Sequence, residues 1–232
     1  MNSILSAILR PFGRSVTTPP TIGVLRSGVI GPSGIPFSTS SLCLPTLSEL
    51  GNIDSIIDGV TTLPCRNHLS SEAQRSLITQ NAGGKSDISE AYSIDYLSKI
   101  FAPRQIILEK EVQYWVDYKM VDFIMVGKEQ NIGVSVTRAM VPPTEDVLSF
   151  TVDDGAVLLT KNLSGLIISR NTIDTSQTFH RSILHIWTRH IHIADCLQKA
   201  FHRVDLQGLN VWGTVTIWMT VCSDSRLYTN RW

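Results

Sequence analysis

The sequence predicts an α/β domain in which a central mixed sheet of about four to five strands is flanked by helices. Three observations carry that expectation. Residues 86–101 and 188–204 show apolar positions at helical spacing, whereas 105–140 shows strand-like runs. Trp115–Met140 reads as two long strands joined by a tight polar turn at Gly127–Asn131. Further along, helical and strand-like stretches alternate, as they do where helices cross over a sheet. At 232 residues, 43% hydrophobic and 17% charged, the chain can bury a proper core of one main domain plus appendages.

Taken in order, residues 1–48 stand apart. They hold three arginines, Arg10, Arg14 and Arg26, and no acid before Glu49, which leaves 17 of the 20 basic residues against all 20 acidic ones. Wrapped as a helix, Met1, Leu5, Ile8 and Phe12 line one face and Arg10 and Arg14 the other. An acid-free, Ser-rich, Arg-bearing amphipathic start matches a mitochondrial transit peptide, with a disordered cytoplasmic or nuclear tail as the alternative. Residues 15–48, rich in Ser, Thr, Pro and Gly, read as linker.

Residues 49–85 form a lead-in whose short apolar pieces within Leu47–Leu63 (IDSII, GVTTL) read as an edge strand or turn, followed by one short helix over Ser70–Gln80, capped by Ser70 or Ser71. Residues 86–222 carry the domain, and 223–232 read as a tail. Within the domain, Ser86–Phe101 is helical, with Tyr92, Tyr96 and Leu97 recurring and Ala102-Pro103 as the stop. Gln105–Trp115, Val116–Val126 and Ile132–Met140 are strands. Val141-Pro142-Pro143 breaks the third. A helix follows from a cap at Thr151 or Asp153 to about Leu163, with Gly165 near its end. Gly165–Ser169 reads as a short buried strand or turn, and Ile183–Trp187 as a strand. Thr188–Val204 is an amphipathic helix burying Ile191, Ala194, Leu197, Phe201 and Val204. Val211–Cys222 is the last strand.

Composition restricts function. Zero formal net charge argues against a broad basic surface, though it leaves room for a local one. Cys43, Cys65, Cys196 and Cys222 are scattered without a CxxC pair, which suits free thiols in a reducing compartment. Leu209–Cys222 is too short and too polar to span a bilayer as a helix.

Asp122 sits alone inside VDFIMV, and a carboxylate there is costly unless it is paired or holds a metal. On the third strand Gly133, Ser135 and Thr137 share one face, and Ile132, Val134 and Val136 the other. The order helix, three strands, helix, strand, helix, strand, with an Asp on the second strand and polar residues on the third, resembles the core of the PD-(D/E)XK nuclease superfamily. That superfamily includes restriction endonucleases and Holliday-junction resolvases. The block Ile132–Met140 (IGVSVTRAM), the TK-x-L segment at Thr160–Leu163 and ILHIW also resemble a eukaryotic family assigned to that restriction-endonuclease-like fold.

The resemblance implies a Mg²⁺-dependent phosphodiesterase acting on DNA or RNA, or a nucleic-acid-binding relative with an inactive site; a structural or assembly role without nucleic acid is the alternative. Asp122 falls where the family's metal-binding Asp would stand. Ser135 and Thr137 occupy the positions of the family's second acid and lysine, so one carboxylate and one cation are missing. Glu90 resembles the helical acid of some family members and would complete the metal set with Asp122. Lys161 would supply the ammonium from the next helix, with Arg138 a second candidate on the opposite face from Thr137. Bland readings stand beside each: a pairing of Asp122 with an arginine, a capping pair of Asp87 and Glu90, and a solvated Lys161.

Other signals weigh less. Gly83–Ser86 (GGKS) lacks the first glycine of a phosphate-binding loop, which would fall at Thr79. The late histidines, His180, His185, His190, His192 and His202, read as surface and boundary residues, although His192 and Cys196 have a spacing that can hold zinc. No GxSxG elbow appears. Trp187, Trp212 and Trp218 could stack bases but read as core.

Overall fold

A computed structural model describes residues 55–79, 86–116, 118–204, 214–229 and 231–232. The expected transit segment and linker (1–48), the GGKS loop before Ser86, Cys43 and Trp212 lie outside the described residues. The strands are β1 (Ser55–Gly59), β2 (Gln105–Leu108), β3 (Phe123–Val126), β4 (Asn131–Ala139), β5 (Arg181–Thr188) and β6 (Val215–Val221). They form one six-stranded sheet in the order β1-β6-β5-β4-β3-β2. β2, β3 and β4 are antiparallel neighbours, while β4, β5, β6 and β1 run parallel.

The helices are α1 (Ser71–Ile78), α2 (Asp87–Phe101), α3 (Val152–Thr172), α4 (Ile191–Phe201) and the short α5 (Arg226–Thr229). Strand alternation divides the core between two layers. Phe123, Met125, Ile132 and Val134 pack with Ile88, Ala91, Tyr92 and Leu97 of α2 on one face. Ile124, Leu184 and Ile186 pack with Leu159, Leu163 and Leu166 of α3 and with α4 on the other. No helix among the described residues is long and apolar enough to cross a membrane.

Local chemistry explains most helix starts. Ser70 Oγ accepts from the Ala73 N–H and begins α1. At α3, Thr151 Oγ1 accepts from the Asp154 N–H (3.2 Å) while Asp154 accepts from the Thr151 N–H (2.9 Å), a reciprocal cap. α2 ends where Ala102 takes a left-handed conformation, φ 44°, just before Pro103.

The sheet departs from the expected one in four ways. It has six strands rather than four to five, because Ser55–Gly59 in the lead-in pairs with β6 at the edge. The first predicted strand stops at Leu108: the Leu108 N–H donates to the Glu111 carboxylate (2.9 Å), turning Glu109–Glu111 into a helical turn. The second is regular only over Phe123–Val126, although Asp122 still donates its N–H to the Val134 carbonyl. Gly165–Ser169 is neither strand nor turn; α3 runs through it to Thr172, with Leu163, Leu166 and Ser169 along its buried side.

α4 differs too. Thr188 continues β5, and His190 Nδ1 accepts from the His192 N–H, so the helix begins at Ile191. Its buried face is rotated from the expected one: Ile191 is 48% exposed, and Ile193, Cys196 and Ala200 are buried beside Ala194 and Leu197.

Candidate functional site

Asp122 lies at the mouth of β3, opposite Ser135 in the register that pairs Phe123 with Val134. Its Oδ2 accepts from the Val136 N–H (2.6 Å) and from Ser135 Oγ (3.1 Å). These two donors hold the carboxyl against β4. Burial drives its pKa up, and the negative charges of Glu90 and, less strongly, Glu109 push the same way, to about 8. The hydrogen bonds from Val136 and Ser135 only partly oppose them. The charges that act on Asp122 are therefore those of other acids rather than of an arginine.

Glu90 stands in the first turn of α2 and is buried. Ser86 Oγ donates to it, so its carboxyl is oriented from the residue that precedes the helix. Ser135 and Thr137 are half-buried on the face toward α3, aligned with Leu184 and Ile186 of β5. Lys161 is exposed on α3, whose buried side is Leu159, Leu163 and Leu166. The structure thus bonds Asp122 to Ser135 and sets it within reach of the Glu90 charge, while Lys161 stands exposed on α3. Arg138, on the other alternation from Thr137, donates to the Leu227 carbonyl (2.8 Å).

Mg²⁺ asks for several oxygen ligands in near-octahedral geometry. Asp122 and Glu90 fit the start of such a set, because a divalent cation would relieve the repulsion that raises Asp122. Among the described residues, no group of three or more His, Cys, Asp and Glu side chains is arranged to hold a metal ion. Two protein carboxylates would leave the remaining positions to water and a phosphate.

A second polar cluster has little trace in the sequence. His185, expected at the surface or a boundary, is fully buried in β5. Its Nδ1 lies 2.9 Å from Ser93 Oγ of α2 and its Nε2 2.9 Å from Thr220 Oγ1 of β6. Burial drives its pKa down to about 3, so the ring is neutral. Trp187 Nε1 donates to Ser93 Oγ (2.8 Å), and Trp218 Nε1 donates to Asp58 Oδ2 of β1 (2.7 Å), which also accepts from Tyr96 Oη. Asp58 Oδ1 is buried without a hydrogen-bond partner, and desolvation raises this carboxyl's pKa. Ser93 and His185 are sealed from solvent, so this network binds the α2 layer to β1, β5 and β6 rather than meeting a substrate. Its signal in the sequence is polar residues inside apolar runs: IIDG, ILHIW and MTVC.

The expected zinc spacing also resolves. His192 Nε2 lies 3.6 Å from Cys196 Sγ, and both side chains bond the Phe150 carbonyl, at 3.1 Å and 3.4 Å. Trp187 and Trp218 are core, each 0% exposed.

No family model matches the chain, and no solved structure matches it. Over 198 residues it is 30% identical to the AAC-rich mRNA clone AAC4 protein of Dictyostelium discoideum. The match covers 83% of this chain and 29% of that protein, so the chain spans under a third of the relative's length.

Proposed function

We propose that this chain is a divergent restriction-endonuclease-like protein that binds nucleic acid, DNA or RNA, through an incomplete nuclease site. Support comes from topology: a helix, three strands in antiparallel succession, a helix and a parallel strand are the order on which the PD-(D/E)XK resemblance rests. The observation that carries the functional reading is the company of Asp122. It is hydrogen-bonded by Ser135 and repelled by the charge of Glu90, while the expected lysine position is Thr137 and the substitute Lys161 is exposed. Losing two groups that act together in phosphoryl chemistry removes far more rate than binding.

Asp122 and Glu90 would hold Mg²⁺, with Ser135 and the Val136 amide orienting Asp122. The bound cation would supply a Lewis acid against a phosphate oxygen. An active nuclease is the second reading, favoured by one feature: two acids kept close at an electrostatic cost that a divalent cation would offset. The acid-free N-terminus supports a mitochondrial location.

The test is a Mg²⁺ and Mn²⁺ titration with branched and linear DNA and RNA, comparing wild type with Asp122→Asn. Retention of labelled nucleic acid without cleavage, in both proteins, is the expected result. Metal-dependent cleavage by wild type alone would replace it with the active reading. No retention of any substrate would defeat both.

A further inference from the structure

The structure brings arginines from four separate stretches to one surface at the carboxyl ends of the parallel strands. The short α5 lies across that edge, with Leu227 buried beneath it. Arg138, at the end of β4, donates to the Leu227 carbonyl (2.8 Å) and so anchors α5. Arg189, one residue past β5, is exposed and places its guanidinium carbon over the Tyr228 ring, 5.5 Å from the ring centre. Arg226 lies 5.7 Å from the Tyr92 ring centre and donates to the Leu63 carbonyl (2.9 Å). Arg66, in the loop after β1, is exposed and stands 5.8 Å from the centre of the Trp232 ring.

These contacts form one continuous run. Trp232 also packs on Tyr92, with ring centres 5.6 Å apart, and both Arg189 and Arg138 act electrostatically on Tyr228. The ion pair Arg226–Asp224 (2.6 Å) accounts for one charge, whereas Arg66 and Arg189 join none of the ion pairs among the described residues. Aromatic rings thus flank both exposed guanidiniums, and cation–π attraction of this kind leaves a guanidinium's N–H donors available to an anion. In a chain of zero net charge, this concentration on one edge is a local field rather than a general basicity.

The surface also adjoins the acid pair. Arg138 is two residues beyond Val136, whose N–H holds Asp122, a separation of roughly 7 Å along a strand. The Trp187 side chain, level with Arg138 in the β4–β5 register, donates to the Ser89 carbonyl (3.2 Å), bringing the first turn of α2 and Glu90 to the same edge.

We propose that Arg66 and Arg189, on either side of α5, form a phosphate-binding track for the backbone of a nucleic acid, leading it past Arg138 to the Asp122–Glu90 pair. This inference rests on the nucleic-acid reading above and gives it a surface. Arginine edges match phosphate oxygens bidentately, and contacts of this kind fix position without reading sequence. The half-buried Tyr228 and exposed Trp232 offer rings on which an unpaired base can stack, which favours single strands over duplex.

The test compares the full-length protein with Arg66→Glu/Arg189→Glu and with a hairpin control, Lys128→Glu. Binding of fluorescein-labelled single strands of about 30 nucleotides is followed by anisotropy across a salt series. The double variant should bind at least tenfold more weakly. Its plot of log K against log salt should flatten by about 1.4, the slope carried by two phosphates neutralised on a single strand. Lys128→Glu should follow wild type. If wild type binds and the double variant matches it in affinity and slope, the track is wrong and the general reading survives. If wild type binds no nucleic acid, both fall. Binding to phosphatidylserine vesicles in place of nucleic acid would also overturn the track. Thermal melts accompany each protein, and Arg66→Gln/Arg189→Gln replaces the reversal should that variant fail to fold.

Discussion

Burial and the adjacent Glu90 raise the Asp122 carboxyl to about 8 from an ordinary 3.8, and burial lowers His185 to about 3 from 6.5. The signs of the two consequences are opposite. Folded Asp122 binds its proton more tightly than the unfolded chain does, so its contribution to stability is full below about pH 4 and drains away as pH rises toward 8. Folded His185 refuses a proton that the unfolded chain would take, so its contribution is present above about pH 6.5 and is lost as pH falls toward 3. Urea unfolding from pH 4 to 9 should therefore give a dome for wild type. Asp122→Asn should flatten the alkaline limb, gaining on the order of 1–3 kcal/mol over wild type by pH 8, and leave the acid limb alone. Millimolar Mg²⁺ should flatten the same limb in wild type and change nothing in Asp122→Asn. Parallel curves for the two proteins would refute the raised pKa of the Asp122 carboxyl. In the sequence, Asp122 is visible as a misplaced acid, whereas Glu90 is joined to it there only by the family resemblance, because its charge reaches Asp122 through packing of α2 on the sheet.

Glycines separate what an element does alone from what its neighbours demand. Gly165 has the sequence context of a helix end, yet it lies inside α3, and a Cβ built there meets nothing within 4 Å. Gly165→Ala should raise helix propensity at no steric cost, adding about 0.5–1 kcal/mol and a measurable rise in Tm. Gly133 on β4 is the reverse case. A Cβ there would stand 2.5 Å from the Phe179 ring, so Gly133→Ala should cost about 1–3 kcal/mol in the same assay. A fall for Gly165→Ala, or no change for Gly133→Ala, would contradict this packing. Caps at Ser70 and Thr151 are legible because their partners lie three residues away. The early stop of β2 is not, since LEKEVQ alternates like a strand and only the Glu111 side chain taking the Leu108 N–H ends it.

Across the whole molecule, β1 closes the sheet, and it is tied in by a side chain as well as by its ladder. Asp58 accepts from Trp218, 160 residues away, and from Tyr96 of α2. Asp58→Ala would leave an indole N–H and a phenol O–H buried without an acceptor, a cost of about 2–4 kcal/mol, whereas Asp58→Asn keeps an acceptor and should cost less. Chemical denaturation of the two variants distinguishes them, and equal losses would mean the contact is packing alone. The α/β class, the main helices, the breaks at Pro103 and Pro142-Pro143 and the oddity of Asp122 can all be read along the chain. Those features follow from periodicity, backbone restriction and contacts within a few residues. The pairing of β1 with β6, the electrostatic coupling of Asp122 to Glu90, the burial of His185 and the gathering of arginines beside α5 arise only once the chain has packed. Each of these joins residues far apart in sequence, and the free energy of burial and charge depends on which surfaces meet.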